Sequence, residues 1–322
     1  MGEERVFPVI DGHVDLVYDL MRNHPGSFFA ELAEGAVTPR SLAAGGVRVL
    51  VSALYCADAF NGPGRALPHL RDHAAFAREK LGSFVPLRTP QGLDACLAGA
   101  GPPGILTLLE NADPLVDLDP EELPSLGLVA VGLTHAGRNR LGDGNGVAAP
   151  GGLTAAGRKL LGRLDRLGIA LDLAHLAEPC FGEALELFTG PIMSSHTGFR
   201  AFCDRPRNLS DGQVAAICAR GGIVGVALAP EMLVDKGACT IDDVVRQLDW
   251  LVQRHGPKVA AIGSDFGGFD DLCAGMENHG RLPALAERLL ARGYPESAVG
   301  LIMGGNWRRW YGGILGASPP ER

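Results

Sequence analysis

Six short apolar runs in this 322-residue chain end in residues that can bind a cation or move a proton. Val6–Ile10 leads into Asp11-Gly12-His13-Val14-Asp15, Ile105–Leu109 into Glu110, and Leu128–Leu133 into Thr134-His135. Ile169–Leu173 leads to His175, Pro191–Ser194 to His196, and Val259–Gly263 to Asp265. Imidazole nitrogens and carboxylate oxygens together suit borderline divalent cations, zinc above all. His13 and Asp15 are two apart, so an extended strand end turns both to one face, where they can reach one cation. Glu110 carries two oxygens and can serve two cations at once. Asp265 is followed by Gly267 and Gly268, which leave room at the backbone. A carboxylate beside an activated water can take its proton and pass it to a departing amine. The chemistry this set points to is metal-dependent hydrolysis.

Each residue also has a plainer reading. Asp15 can cap the helix that follows, and Glu110 can be a paired structural charge. A lone histidine at a strand end is most often a hydrogen-bonded core residue. Ser264-Asp265-x-Gly267 also reads as a turn, and Asp172 is expected on the opposite face of its strand, in a structural role. Their joint placement outweighs these readings, because unrelated structural needs do not mark the same end of six runs.

Val47–Leu54 and Gly222–Ala227 bring the apolar runs to eight. Between runs lie segments of helical period: Leu67–Leu81, Thr154–Leu167, Pro179–Phe188, Asp211–Arg220, Ile241–His255 and Pro283–Arg292. Thr154, Ser210 and Thr240 stand where N-caps belong, and Gly168, Gly190, Gly221 and Gly256 where helices stop. Helix, glycine, apolar strand, functional residue is the repeat of a (β/α)8 barrel, whose strand ends meet at one mouth. The glycine-rich stretch Arg138–Gly152 is long enough to serve that face. No linker divides the chain, so residues 1–322 read as one domain with a frayed tail from about Gly313.

With 46% hydrophobic and 20% charged residues the chain is globular in composition. A net charge of −8 speaks against a nucleic-acid partner and offers no basic membrane patch. The charged start, Met1-Gly2-Glu3-Glu4-Arg5, runs into the first strand without a long apolar segment. Seven cysteines show no CxxC pair. A reduced, cytoplasmic protein is expected, although one pair such as Cys203 with Cys239 could meet in space.

Taken together, these motifs resemble the membrane dipeptidase (renal dipeptidase) family of zinc metallopeptidases, from about Val9 to Gly313. Asp11-Gly12-His13-x-Asp15 is similar to its opening motif. Gly168-Ile169-x-x-Asp172-Leu173-x-His175 and Ser195-His196, with the histidines twenty-one residues apart, are similar to its paired histidine motifs. Arg205-Pro206-Arg207-Asn208 and Gly263-Ser264-Asp265-Phe266 carry two more. The resemblance implies a (β/α)8 barrel related to the amidohydrolases and holding two zinc ions. His13 and Asp15 would hold one ion, His175 and His196 the other, and Glu110 would bridge them. It also implies Asp265 as proton shuttle, His135 polarising the scissile carbonyl, and Arg207 holding the substrate's terminal carboxylate. Tyr55 would help form the substrate pocket. The nucleophile would be a hydroxide bridging the zinc ions, the substrates dipeptides, often with a D-residue second, and the assembly a homodimer.

The chain departs from the family at two places. Glu110-Asn111-Ala112-Asp113 stands for Glu-Gly-Gly-His, and Gly45-Gly46-Val47-Arg48-Val49 for an aromatic-rich stretch. Two other functional readings stay open. Lactam hydrolysis or deamination would more often begin with HxH, whereas Asp15 occupies the second position here. A catalytically inactive metal-binding relative would not need all six site residues.

Overall fold

The computed structural model describes residues 7–99 and 101–317. Nine strands form one parallel sheet: β1 (Val9–Val14), β2 (Val47–Tyr55), β3 (Val85–Pro86), β4 (Gly104–Glu110), β5 (Leu128–Gly132), β6 (Ala170–Asp172), β7 (Ile192–Thr197), β8 (Ile223–Val226) and β9 (Ala260–Ile262). Eight of them follow the path β1-β2-β4-β5-β6-β7-β8-β9 and correspond to the eight apolar runs, while the two-residue β3 lies beside the start of β4. Between β9 and β1 the sheet is stitched beyond the strand end. Asp265 N–H donates to His13 O at 3.0 Å and Asp15 N–H to Phe266 O at 2.9 Å. The result is a nearly closed (β/α)8 barrel.

Side chains that alternate along the strands sort into two cores. One set, including Val49, Val51, Leu106, Leu108, Met193 and Ala261, forms a buried cluster with Trp307 and Tyr311. These two come from the helix Asn306–Gly316, which closes the amino-terminal end of the barrel: Trp307 Nε1 donates to Ile262 O at 2.7 Å. The larger cluster packs the outer faces of the strands against the helices. Glu110 continues the period of Leu106 and Leu108, and so turns to the interior at the carboxyl end of β4.

Helix boundaries follow local chemistry. Thr154 Oγ1 accepts from Gly157 N–H at 3.1 Å, and Ser210 and Gln213 cap each other. Gly168 takes φ +66, a conformation that favours glycine, and ends the helix Ala155–Leu167. The expectation of a cap at Gly190 is corrected. The helix Glu178–Leu187 closes at Phe188, and a Cβ on Gly190 would come within 2.8 Å of the Phe188 ring. The tail expected to fray from about Gly313 remains helical to Gly316, and residues 318–322 lie outside the described residues.

One pair of cysteines does meet in space, but it is Cys239 with Cys273 and not Cys203 with Cys239. Cys203 Sγ faces Glu231 O, while Cys239 Sγ lies 2.9 Å from Cys273 Sγ; all seven are free thiols. No helix among the described residues is long and apolar enough to cross a membrane.

Candidate metal centre

Strand ends deliver all six predicted residues to one spot, each from a different local geometry. Asp15 stands at the N-cap of the helix Leu16–Asn23 but makes no side-chain cap hydrogen bond, so its carboxylate is free to face inward. Asp265 sits in a backbone turn closed by Gly268 N–H to Asp265 O at 3.0 Å, and its carboxylate likewise points to the cluster. Among the described residues only Asn111, His175 and Asp265 take positive φ without being glycine, at +66, +63 and +64. Such backbone costs roughly 1–3 kcal/mol per residue and gathers at functional sites. Here two of the three are predicted site residues and the third follows Glu110.

The two oxygens of Glu110 divide between two groups of ligands. Oε1 lies 2.8 Å from His175 Nε2 and 3.8 Å from His196 Nε2, and these two nitrogens are 3.0 Å apart. Oε2 lies 3.7 Å from His13 Nε2, which is 3.8 Å from Asp15 Oδ1. Asp265 Oδ1 stands between them, 3.9 Å from both His13 Nε2 and His196 Nε2. Ser195 Oγ joins the pairs from behind, 3.1 Å from His13 Nδ1 and 2.8 Å from His196 Nδ1. The expectation that Asp172 turns away from the cluster is corrected. A carboxylate oxygen of Asp172 lies within 4.8 Å of ligand atoms on His13 and His196. Its Oδ1 accepts from Ser195 N–H at 2.9 Å and Ala174 N–H at 3.1 Å, the structural role expected of it.

Electrostatics agree with this geometry. Burial drives the His13 imidazolium down to about 3, aided by the charges of Arg207 and His135. Burial also holds His175 and His196 well below the ordinary histidine value. Asp15 is raised well above the carboxylate range by burial and by Glu110 and Asp265 beside it. Burial, then Glu110, pushes Asp265 up to about 7. Neutral imidazoles among carboxylates that resist ionising form a site short of positive charge. His13 Nε2 and Asp15 Oδ1 are buried without any hydrogen-bond partner. Buried polar atoms are rarely left so, and a divalent cation would satisfy both. The donor set therefore fits the zinc that the sequence motifs imply.

Around the cluster lie the groups expected to meet substrate. The His135 ring is 4.5 Å from the His175 ring, centroid to centroid, and the Tyr55 hydroxyl is 3.4 Å from His135 Nδ1. Arg207 Nη2 donates to His196 O at 3.2 Å while its Nε is buried and unpartnered. The long glycine-rich loop reaches the site, as its length suggests. Asn145 N–H donates to His175 O at 2.8 Å, and its amide fits between His175 O and Arg207 N–H, 3.2 Å from each.

Sequence reasoning missed the framework behind these groups. Asp58 accepts from His135 Nδ1 at 3.0 Å, and His279 Nε2 pairs with Asp11 Oδ2 at 2.8 Å, fully buried. Neither lies in a motif, and only His279, a polar residue ahead of a helical run, offered any signal. The altered segment after Glu110 is a knot of loops: Asn111 Nδ2 donates to Asn61 Oδ1 at 2.8 Å, and Asp113 pairs with Arg140 at 2.8 Å. The altered Gly45–Val49 lies at the opposite end of β2, where Arg48 donates to Cys96 O and Gly101 O at 2.9 Å, far from Tyr55.

Comparison with known proteins points the same way. The profile of the family described as membrane dipeptidase (peptidase family M19) matches residues 4–314. An uncharacterised protein in the pqqA 5′ region of Klebsiella pneumoniae is 34% identical over 53% of this chain and 66% of its own. Dipeptidase aclJ of Aspergillus oryzae is 29% identical over 59% of this chain and 46% of its own length. The matched segments thus span two thirds or less of these relatives. Two solved structures superpose on nearly the whole fold. The dipeptidase AC, an M19 metallopeptidase, is 28% identical with a TM-score of 0.88, covering 97% of this chain and 100% of its own. A metallopeptidase from Rhodobacter sphaeroides, bound to a phosphinate mimic of the dipeptide L-Ala-D-Ala, is 28% identical with a TM-score of 0.85, covering 97% and 99%.

Proposed function

Since this chain belongs to the membrane dipeptidase family, peptidase family M19, we propose that it hydrolyses the peptide bond of dipeptides with the help of two zinc ions. One observation carries the reading: the oxygens of Glu110 divide between His13 with Asp15 and His175 with His196. His13 and Asp15 would hold one ion, His175 and His196 the other, and Glu110 both. Bound zinc supplies Lewis acidity toward the carbonyl and hydroxide at neutral pH.

The chain's own residues do the rest. Asp265, facing both histidine groups, is placed to take a proton from the attacking water and pass it to the departing amine. His135 would donate to the oxyanion as the carbonyl is attacked. Arg207, with its Nε unpartnered, would grip the terminal carboxylate of the substrate. Beside Tyr55, Tyr18, Met21 and Phe60 line a hollow of about 200 Å³ that can take an apolar side chain. Dipeptides with a C-terminal D-residue are included among the substrates, a reading favoured by the L-Ala-D-Ala mimic held by the Rhodobacter relative. A cytoplasmic location, in keeping with seven free thiols, and a homodimer belong to the same proposal.

The test is a panel of L,L- and L,D-dipeptides, each also as its C-terminal amide, against protein of known metal content. Hydrolysis of free acids with about two equivalents of zinc bound is expected. Arg207→Lys should lower kcat/KM about ten- to a hundred-fold on free acids, because an ammonium cannot reproduce the bidentate fork. Amides should already be poor substrates and lose little more. No hydrolysis of any dipeptide by the metal-loaded protein would overturn the reading in favour of an inactive relative.

A further inference from the structure

Asp58 lies outside every motif that marks the site, yet it holds one of its groups. It opens a single helical turn, Asp58–Phe60, just beyond the end of β2. Its Oδ2 accepts from His135 Nδ1 at 3.0 Å and from Gly137 N–H at 2.9 Å, and Asn61 Nδ2 donates to its Oδ1 at 3.3 Å. Asn61 is itself tied to Asn111, next to Glu110, so the carboxylate is anchored to the metal-ligand framework. An ionised carboxylate only accepts hydrogen bonds. A proton therefore sits on His135 Nδ1, and Nε2 is the nitrogen left to face a substrate oxygen; it can donate there only in the imidazolium, which carries a proton on both nitrogens. Gly137 is part of the arrangement, because a Cβ there would stand 2.9 Å from the Asp58 carboxyl carbon.

We propose that Asp58 is a positioning residue: by holding Nδ1–H it fixes the ring orientation of His135 so that Nε2–H meets the oxyanion of the attacked carbonyl. This rests on the role given to His135 above. A carboxylate that orients an imidazole through its far nitrogen keeps the near nitrogen aimed without touching substrate.

The experiment measures kcat, KM, zinc content and melting temperature for Asp58→Ala, Asp58→Asn and Gly137→Ala, each alone and with His135→Ala. The substrate is the dipeptide that the unaltered protein hydrolyses best. Loss of such an orienting partner typically costs about 10- to 100-fold in activity. Asp58→Ala should show that loss in kcat, with KM nearly unchanged and zinc retained. Asp58→Asn keeps an acceptor oxygen and should lose less. Gly137→Ala, which leaves Asp58 in the chain but crowds it aside, should fall between. In the His135→Ala background none of the three should cost anything further, because the group they position is gone. Equal losses in both backgrounds would make Asp58 a general support of the fold and overturn the proposal. So would an Asp58→Ala enzyme at full kcat beside an impaired His135→Ala. Full activity of His135→Ala itself would instead overturn the role assigned to His135, and this proposal with it. Histidine ¹⁵N NMR gives a readout free of turnover: the His135 ring signals should shift in Asp58→Asn, and unshifted signals would overturn the proposal.

Discussion

Within Asp11-Gly12-His13-Val14-Asp15 four residues divide three tasks. Asp11 Oδ1 accepts from Ser264 N–H at 2.8 Å and its Oδ2 meets His279, so it ties the first strand to the loop that carries Asp265. Gly12 leaves space for an aromatic ring, and His13 and Asp15 face the cation site. At the histidine pair, Ser195 Oγ has one proton to share between His13 Nδ1 and His196 Nδ1, so at least one ring must be the donor in that chain of contacts. Two substitutions separate binding from chemistry. His196→Ala should lose at least about one equivalent of zinc and nearly all activity, since a lost ligand is lost affinity. Asp265→Asn should keep most zinc and lose about 100-fold or more in kcat, in line with removal of a general acid–base. Metal analysis beside turnover checks both. A His196→Ala protein with two metals and full turnover would refute the ligand assignment.

At the level of elements, the helix Asn306–Gly316 fills the end of the barrel opposite the mouth. Trp307 is fully buried, and a Cβ on Gly12 would lie 2.3 Å from its ring. The close approach of helix and strand therefore requires glycine at position 12, whatever the chemistry of His13. Trp307→Ala should cost about 3–5 kcal/mol through lost contacts and a cavity. Gly12→Ala should cost about 1–3 kcal/mol by overpacking. Combined, the two should cost clearly less than their sum, because the smaller residue at 307 vacates the space the new methyl needs. Denaturant unfolding of the four proteins measures the coupling, and strict additivity would show that ring and glycine do not interact. The strained positions obey the same logic. His175 and Asp265 can stay in left-handed backbone because β6, β9 and the loops beyond them are anchored on both sides, His175 O by Asn145 N–H and Asp265 N–H by His13 O.

Across the whole molecule, convergence of strand ends concentrates carboxyls in a buried volume, and the fold is left to manage their charge. Asp265 has its carboxyl raised from 3.8 to about 7, so the metal-free fold is penalised for ionising it as pH rises through that window. His13 works in the opposite sense. Its value falls from 6.5 to about 3, so the unfolded chain takes up a proton that the fold refuses, and stability is lost as pH falls from 6.5 toward 3. The two effects oppose each other in the metal-free protein, but only the carboxyls must give up protons to a cation near neutrality. Zinc should therefore raise the melting temperature strongly at about pH 8 and progressively less below about 7, with apparent affinity falling about tenfold per pH unit for each proton displaced. Scanning fluorimetry with and without zinc tests this. An unchanged gain down to about pH 5 would mean that the metal displaces no proton from these carboxyls.

Much of the molecule was legible in the chain itself. All eight barrel strands were legible, as were the six residues at their ends, because strand polarity and the position after an apolar run depend on neighbours in sequence and little else. Helices with local caps, such as the one opening at Thr154, were legible for the same reason. What lay beyond reach were partnerships made across the fold. Asp58 with His135, Asp11 with His279, Cys239 with Cys273 and Trp307 over Gly12 join residues 34 to 295 positions apart. The inward turn of Asp172 also escaped, because the alternation that places a side chain on one face or the other cannot say what waits there. Sequence determined which groups reach the mouth of the barrel. Closure of the barrel decided which oxygen of Glu110 faces which histidine, because that choice depends on how strands far apart in sequence converge.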